Sequence, residues 1–460
     1  MQELMINVSN RKVILIITCI AGFLGSITNS SVTVALPTIG REFAMEAVLL
    51  GWVITISTLA MAVASLPAGR LADIYGMKKA FLLGMCLFTV SSFFCNVTSS
   101  SAMLISARFF QGIGISMSAS CSVAILTAVF PAEERGKSFG IFLASVYGGG
   151  ILGPFLGGLL TQHFGWRSIF SVTSIFGAAE VILTLCKIKG EWAGSRGEKF
   201  DAIGSAVMAL AMVVLMYGFT VVTTVTGISF LITGILGMIG FVLWESRVDS
   251  PLINMNLMRR NRVFMFSNLA TLIQYSSVYA VIFLMSLYLQ YAKGFSPQKA
   301  GSILIIQSGV MTVFALFSGR LSDRVQPQKI AASGLALNCL MFFLLSFLNE
   351  ETSVLYVIAG LGFFGAGIGL FSSPNTNAIM GSVEKRFHGI ASASVATMRS
   401  TGQMLSMGIV MILFSVFIGE RQITPDYYPQ FMICMKTGYL IFSVLCFLGV
   451  LAQLCGRKHG

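Results

Sequence analysis

Three charged side chains lie inside long apolar stretches of the sequence: Arg108, Glu180 and Arg399. A charged residue within membrane hydrocarbon costs at least about 2.5–3.5 kcal/mol, so it should face a cavity or a partner. An arginine there can bind an anionic group, and a glutamate can carry a proton. We therefore predict that both arginines face a cavity and that Glu180 is a candidate proton site. The alternative for Glu180 is an ion pair with Lys187 near the end of its span.

Neutral polar side chains occupy the same stretches, and no further acid accompanies them. Many such groups form interhelical hydrogen bonds worth about 0.6 kcal/mol each, so not all need line a cavity. A lining without acids suits neutral, zwitterionic or anionic small molecules better than divalent cations. The predicted lining, besides the two arginines, consists of Thr28, Asn29, Thr33, Gln111, Gln274, Tyr275, Gln307, Asn375 and Gln403.

The elements that carry these residues are predicted to be membrane-spanning helices. Of the 460 residues, 55% are hydrophobic and 10% are charged, too few charges to cover the surfaces of soluble domains. About 20 apolar residues cross the hydrocarbon as a helix, which satisfies its own backbone polar groups. Fourteen such spans are predicted, at 13–38, 48–69, 80–98, 102–127, 139–162, 167–187, 202–222, 228–245, 263–291, 298–319, 329–348, 354–379, 389–418 and 432–455.

The net charge of +12 is explained by the sidedness of the loops. With both termini in the cytoplasm, the cytoplasmic segments contain 22 of the 30 Lys and Arg residues. This is the bias of a plasma- or inner-membrane protein, so we expect contact with the lipid bilayer and none with nucleic acid. The three histidines are scattered near or beyond span ends, the nine cysteines form no CxxC pair, and no ATP-binding loop occurs. We therefore expect neither an enzyme, a metal site nor a cofactor.

One loop sequence occurs twice, 250 residues apart. After span 2 the chain reads Gly69-Arg-Leu-Ala-Asp73-Ile-Tyr-Gly76, and after span 10 it reads Gly319-Arg-Leu-Ser-Asp323-Arg-Val-Gln326. If spans 7 and 8 are an insertion, the repeat divides the chain into two sets of six spans. Internal repeats of this kind are typical of secondary transporters, whose site lies between the halves. The predicted domains are a six-helix bundle (1–187), a linker with two extra helices (188–262) and a second six-helix bundle (263–460).

Span 5 contains a second pattern, in which Gly149, Gly153 and Gly157 recur every four residues beside Pro154. Such a stripe lets a partner helix pack closely, and the proline bends the helix.

Four motifs in order make the chain resemble the major facilitator superfamily, specifically its fourteen-span drug:proton antiporter branch. Besides the loop motif, they are the Val-Ala-Leu-Pro37 end of span 1, Arg108-Phe-Phe-Gln111-Gly112 in span 4 and Gly149-Gly-Ile-Leu-Gly153-Pro154-Phe-Leu-Gly157-Gly158 in span 5. The resemblance implies that Asp73 accepts hydrogen bonds from a neighbouring helix N-terminus, as a latch between the halves, and that the span-5 motif marks an exporter. Ile74, Met77 and Gln326 depart from the family pattern.

The predicted function is alternating-access export of a small amphipathic or drug-like molecule, with protons as coupling ions. Proton-coupled relatives usually carry an aspartate where this sequence has Thr28. A facilitator, or a porter for a small organic anion or neutral solute without an acid-based proton site, therefore remains the alternative.

Overall fold

The computed structural model describes residues 8–193, 200–247, 261–322, 324–384 and 388–456. Within these ranges the chain forms fourteen long helices and no β-strand. A π-helical turn (Tyr288–Ala292) extends the ninth helix, and a 3-10 turn (Pro425–Tyr427) precedes the last. The helices are α1 (Val8–Glu42), α2 (Ala47–Tyr75), α3 (Met77–Asn96), α4 (Ser101–Val129), α5 (Ala132–Phe164), α6 (Arg167–Lys187), α7 (Ala202–Thr220), α8 (Val225–Glu245), α9 (Arg262–Leu287), α10 (Pro297–Leu321), α11 (Pro327–Leu345), α12 (Val354–Gly381), α13 (His388–Phe417) and α14 (Tyr428–Cys455).

Each of the fourteen predicted spans corresponds to one of these helices, and each helix is long and apolar enough to cross a membrane. The predicted all-α fold is confirmed, and the chain is a multi-pass membrane protein. Several helices continue past the apolar run that predicted them, because backbone hydrogen bonding does not stop at the edge of the hydrocarbon. Helix α5, for example, begins at Ala132 rather than at residue 139.

The packing of the first six helices is repeated in the last six. Helix α1 packs on α5 and α6, α4 on α2 and α3, and α3 on α6. Correspondingly, α9 packs on α13 and α14, α12 on α10 and α11, and α11 on α14. We call α1–α6 the first half and α9–α14 the second half. Helix α7 contacts both halves through α2 and α13, and α8 packs on α7. The domain boundaries at residues 187 and 262 stay predictions.

An even number of crossings places the beginning of α1 and the end of α14 on the same side. We call this side the termini face and the opposite side the loop face. Buried residues of α1 and α9 join the halves toward the loop face, including Val34, Leu36, Leu284, Leu287 and Tyr288. The two halves thus share one hydrophobic core near one face of the molecule.

Candidate functional site

The two halves are held together near the loop face by backbone-directed hydrogen bonds. Ser286 of α9 donates its hydroxyl to the carbonyl of Thr33 at 2.9 Å, and the Gln290 amide donates to the carbonyl of Val34 at 2.9 Å. The backbone N–H of Ala47 donates to the carbonyl of Arg421 at 2.8 Å. These contacts seal the space between the halves on this side.

Helices α5 and α10 form a close contact between the two halves near the loop face. A Cβ added at Gly301 would lie 2.1 Å from the carbonyl oxygen of Pro154, and one at Gly158 would lie 2.4 Å from that of Pro297. Only glycine permits this approach. Nearer the termini face, a Cβ at Gly140 of α5 or Gly309 of α10 would meet nothing within 4 Å. The helices therefore touch at the loop face, and no described atom lies within reach of a Cβ at Gly140 or Gly309.

The predicted glycine stripe of α5 faces α1 within the first half. Added Cβ atoms at Gly149, Gly153 and Gly157 would lie 2.6, 1.8 and 2.5 Å from atoms of Phe23, Ser30 and Ser31. The Ser31 hydroxyl donates to the carbonyl of Gly153 at 2.9 Å. Pro154, next to this stripe, presents its own carbonyl to Gly301 of the second half. The motif therefore packs α5 against both halves.

Arg108 is at the centre of a hydrogen-bonded network inside the first half and is fully buried, with 0% exposure. Its Nη2 donates to Asn29 Oδ1 at 2.9 Å, its Nε donates to the carbonyl of Val53 at 3.3 Å, and its Nη1 donates to Gln111 Oε1. Gln111 in turn donates to Ser92 Oγ at 2.7 Å. Three helices thus supply neutral acceptors to one guanidinium, and Ser92 extends the network to a fourth helix, α3.

Arg399 lies across from this network, on α13, and is half-buried. Its guanidinium carbon lies over the ring of Tyr275, 5.0 Å from the ring centroid. The backbones of α9 and α13 approach closely here, since a Cβ at Gly402 would lie 2.7 Å from the carbonyl of Leu272. Arg399 makes no hydrogen bond to any residue that the structure describes.

Two further tyrosines, of which the sequence reasoning missed Tyr147, complete this arrangement. Tyr279 of α9 interacts electrostatically with both Arg108 and Arg399, and Tyr147 of α5 interacts with Arg399 and Tyr275. Tyr147 lies two residues before the glycine motif, so a polar aromatic residue inside span 5 was a usable signal. We call Arg399, Tyr147, Tyr275 and Tyr279 the arginine–tyrosine cluster. It contains residues of both halves, as a site between them requires.

The other predicted lining residues differ in their surroundings. The hydroxyls of Thr28 and Thr33 donate to backbone carbonyls within α1, those of Leu24 and Asn29. Gln403 is half-buried one turn after Arg399, whereas Gln307 and Gln274 are buried. Both amide atoms of Gln274 lack a hydrogen-bond partner among the described residues.

Asn375 belongs to a separate polar network of the second half. It donates to Thr271 Oγ1 at 2.7 Å and to the carbonyl of Ser267 at 3.3 Å, and its Oδ1 accepts from Gln453. Gln453 is near the end of α14, so this network lies toward the termini face. It is not part of the arginine–tyrosine cluster.

The loop motif after α2 is bound by the segment that follows α6. Gly76 has a φ of +123°, a conformation that glycine adopts readily, and forms the sharp turn into α3. The backbone N–H of Lys78 donates to Glu191 Oε1 at 2.9 Å, and that of Met77 donates to the carbonyl of Trp192 at 2.7 Å. Glu191 thus occupies the N-terminus of α3, which favours an anion.

The remaining motif predictions have different outcomes. A Cβ at Gly69 would meet nothing within 4 Å, so no described residue packs closely on this glycine. At Gly319 a Cβ would lie 2.8 Å from Ser373 Oγ, so that glycine does allow a close approach. Asp73 is half-buried, and Asp323 lies outside the described residues. The latch role of both aspartates stays a prediction.

Glu180 is buried in the first half, with 2% exposure, and no described residue hydrogen-bonds to its carboxylate oxygens. The buried face of α6 packs on α3, where a Cβ at Gly177 would lie 2.5 Å from Thr89 Oγ1. The alternative of an ion pair with Lys187 is not observed among the described residues. Glu180 therefore faces the interior of the first half.

A sequence model of the Major Facilitator Superfamily matches residues 18–407 of the chain, and also 267–457. The chain belongs to this superfamily. The predicted family is confirmed, and the fourteen helices agree with its fourteen-span branch. Members of this superfamily are transporters, so the chain is a transporter and not an enzyme.

Curated relatives match most of the chain. The riboflavin transporter RibZ of Clostridioides difficile (strain 630) is 28% identical over 442 residues, covering 95% of this chain and 96% of that protein. The multidrug resistance protein Stp of Mycobacterium tuberculosis (strain CDC 1551 / Oshkosh) is 32% identical over 389 residues, covering 82% of this chain and 71% of that protein.

A solved structure has the same fold. A bacterial homologue of the human lysosomal transporter Spinster, in an inward-facing and unoccupied conformation, aligns with a TM-score of 0.71 at 15% identity. The alignment covers 98% of each chain.

Proposed function

We propose that the protein exports small amphipathic molecules across the cell membrane by alternating access. The observation that carries this proposal is the tight contact between the halves near the loop face, where Gly301 meets Pro154, whereas a Cβ at Gly140 or Gly309, nearer the termini face, would meet nothing within 4 Å. A cluster built from both halves is then exposed alternately to the two faces as the halves rock. The name of the relative Stp supports export of drug-like molecules.

The positive-inside bias places the termini face in the cytoplasm and makes the closed loop face extracellular. In this assignment the structure corresponds to an inward-facing state. Each half moves as a unit, with 1–187 and 263–460 joined by the linker 188–262. The twice-occurring loop motif, with Asp73 and Asp323, latches the halves when the cytoplasmic side closes.

The α5–α10 contact provides a direct test of this cycle. Gly301→Ala places a methyl group 2.1 Å from the carbonyl of Pro154, so the loop face cannot close as observed. We expect transport in proteoliposomes to fall by at least about tenfold, because transport requires both closures. The matched control is Gly309→Ala on the same helix, where the new methyl group meets nothing within 4 Å. Equal transport by the two variants would contradict gating at this contact.

Proton coupling through Glu180 is the second part of the proposal. It is supported by the buried carboxyl, for which no described residue supplies a hydrogen bond. We expect efflux from proteoliposomes to collapse when the pH gradient is removed. Glu180→Gln should lose this dependence but retain substrate exchange at equal pH, since exchange needs no net proton movement.

The alternative is a facilitator, or a porter for an organic anion or neutral solute, without an acid-based proton site. It is favoured by the position of Glu180, which is buried on α6 where this helix packs on other helices of the first half. Efflux that is unaffected by removal of the pH gradient would establish this alternative. Wild-type gradient dependence that survives in Glu180→Gln would assign proton coupling to another group.

A further inference from the structure

We infer that the arginine–tyrosine cluster selects planar aromatic anions, such as aromatic carboxylates, with Arg399 binding the anionic group and the tyrosines packing on the ring. This rests on the proposed transport function and specifies its substrate class. It also separates the two arginines, since Arg399 binds the ligand while Arg108 belongs to the scaffold of the first half.

The hydrogen-bonding capacity of Arg399 is unused in this structure. Its guanidinium carbon lies 5.0 Å from the centroid of Tyr275, and no described residue accepts a hydrogen bond from it. A guanidinium over an aromatic ring keeps its N–H donors directed along its edge. Those donors match the two oxygens of a carboxylate, which can accept a bidentate pair of hydrogen bonds.

The charge around the cluster is positive and uncompensated. Arg108 is satisfied by neutral acceptors only, and no described carboxylate lies within ion-pair distance of either arginine. Apart from Glu180, the described carboxylates lie at helix ends or in loops. Interactions between charges are strong where water is excluded, so this environment favours an anion and repels a cation.

The preference for an aromatic ring follows from the three tyrosines. Tyr275 and Tyr279 belong to α9 of the second half, and Tyr147 belongs to α5 of the first half. Aromatic pairs gain about 0.5–1.5 kcal/mol beyond their buried area when rings stack offset or edge to face. An aliphatic ring of similar size gains only the free energy of burying its apolar surface. A ligand held by Tyr147 and Arg399 together also joins the halves, which is how a substrate can promote closure.

Four small probes of similar size separate these contributions. They are 2-naphthoate, 2-naphthylmethanol, 2-naphthylmethylammonium and the saturated anion decahydronaphthalene-2-carboxylate. Binding to the full-length protein in nanodiscs is measured by calorimetry at pH 7. We expect naphthoate to bind at least about tenfold more tightly than the neutral and cationic probes, as a charge-assisted bidentate contact supplies. We expect it to bind at least about threefold more tightly than the saturated anion.

Variants assign these preferences to residues. Arg399→Gln should bring naphthoate to within about twofold of the naphthylmethanol affinity, whereas Tyr275→Leu should remove the advantage of naphthoate over the saturated anion. Tyr275→Phe keeps the ring and should preserve that advantage. The matched control is Arg41→Gln, because Arg41 also lies over a tyrosine, 5.7 Å from the Tyr291 ring, but is exposed at the loop face. The thermal stability of Arg41→Gln, and its affinities for the four probes, should equal those of the wild type.

Tighter binding of the cationic probe would overturn the inference, as would equal binding of all four probes. An unchanged anion preference in folded Arg399→Gln, verified by its thermal melting, would overturn it as well. These outcomes do not contradict the proposed transport function. That function is still supported if Gly301→Ala blocks transport of a different substrate. The proposed function itself would be contradicted if Gly301→Ala transported as well as Gly309→Ala and if efflux were also unaffected by removal of the pH gradient.

Discussion

Arg108 and Arg399 are both arginines inside membrane spans, yet the protein treats them differently. Arg108 is fully buried and donates hydrogen bonds to groups from three helices of its own half. Arg399 is half-buried, lies over an aromatic ring and has no described hydrogen-bond acceptor. The comparison teaches that a charged residue in a span can be hydrogen-bonded into the scaffold or can lie on an aromatic ring without a described acceptor. The number of acceptors around it distinguishes the two.

The largest expected difference between the two arginines is in stability. Arg108→Ala leaves Asn29, Gln111 and the carbonyl of Val53 without their buried donor, and we expect a loss of about 3 kcal/mol in unfolding free energy. Arg399→Ala removes no described hydrogen bond, so its loss should stay below about 1 kcal/mol. Thermal and denaturant unfolding in detergent measures both variants. Equal losses would remove the distinction drawn here.

A smaller effect is expected from neutral polar residues near the two arginines. Asn29→Ala removes an acceptor of Arg108 and of the Ser57 hydroxyl, and we expect it to cost about 1.5 kcal/mol. Gln403→Ala, one turn from Arg399, should cost less than about 0.5 kcal/mol, because no described hydrogen bond is lost. The same unfolding measurement compares them, and a reversed order would contradict the assignment of Arg108 as the satisfied arginine.

The smallest expected effect is the difference in coupling energy between each arginine and one of its neighbours. In double-mutant cycles, Arg108→Ala with Asn29→Ala should show a coupling energy of about 1–2 kcal/mol, typical of one hydrogen-bond network. Arg399→Ala with Tyr275→Leu should show about 0.5 kcal/mol, as expected for a partly exposed cation–π contact. A larger coupling for the second pair would indicate that Tyr275 already satisfies Arg399 without a ligand.

Much of the fold was predictable because lipid simplifies the problem. Long apolar runs have to become helices, so all fourteen spans could be located in advance. The repeated loop motif likewise indicated two related sets of six helices, and the packing of α1–α6 and α9–α14 shows the same pattern. The ends of α5 were less accurate, since helical hydrogen bonding continues through polar residues.

Candidate residues for the site could be proposed from the sequence, but their arrangement could not. Arg108 and Arg399 were both placed in a cavity, because their cost in lipid demands a partner of some kind. Tyr147 was missed, since tyrosines are ordinary in spans and carry no such cost. Asn375 was included, although it belongs to a network with Gln453 and Thr271 toward the termini face.

The sequence by itself determined that this protein is a multi-pass helical membrane protein of a transporter superfamily. That information is local, because hydrophobic run length, loop charge and short motifs act along the chain. The tertiary structure decided which arginine is satisfied, which way Glu180 faces and at which face the halves meet. Those outcomes depend on contacts between distant segments, such as Arg108 with Asn29, 79 positions away, and Gly301 with Pro154. Hydropathy alone cannot specify them, because every helix is apolar enough to face lipid, and side-chain packing chooses its partners.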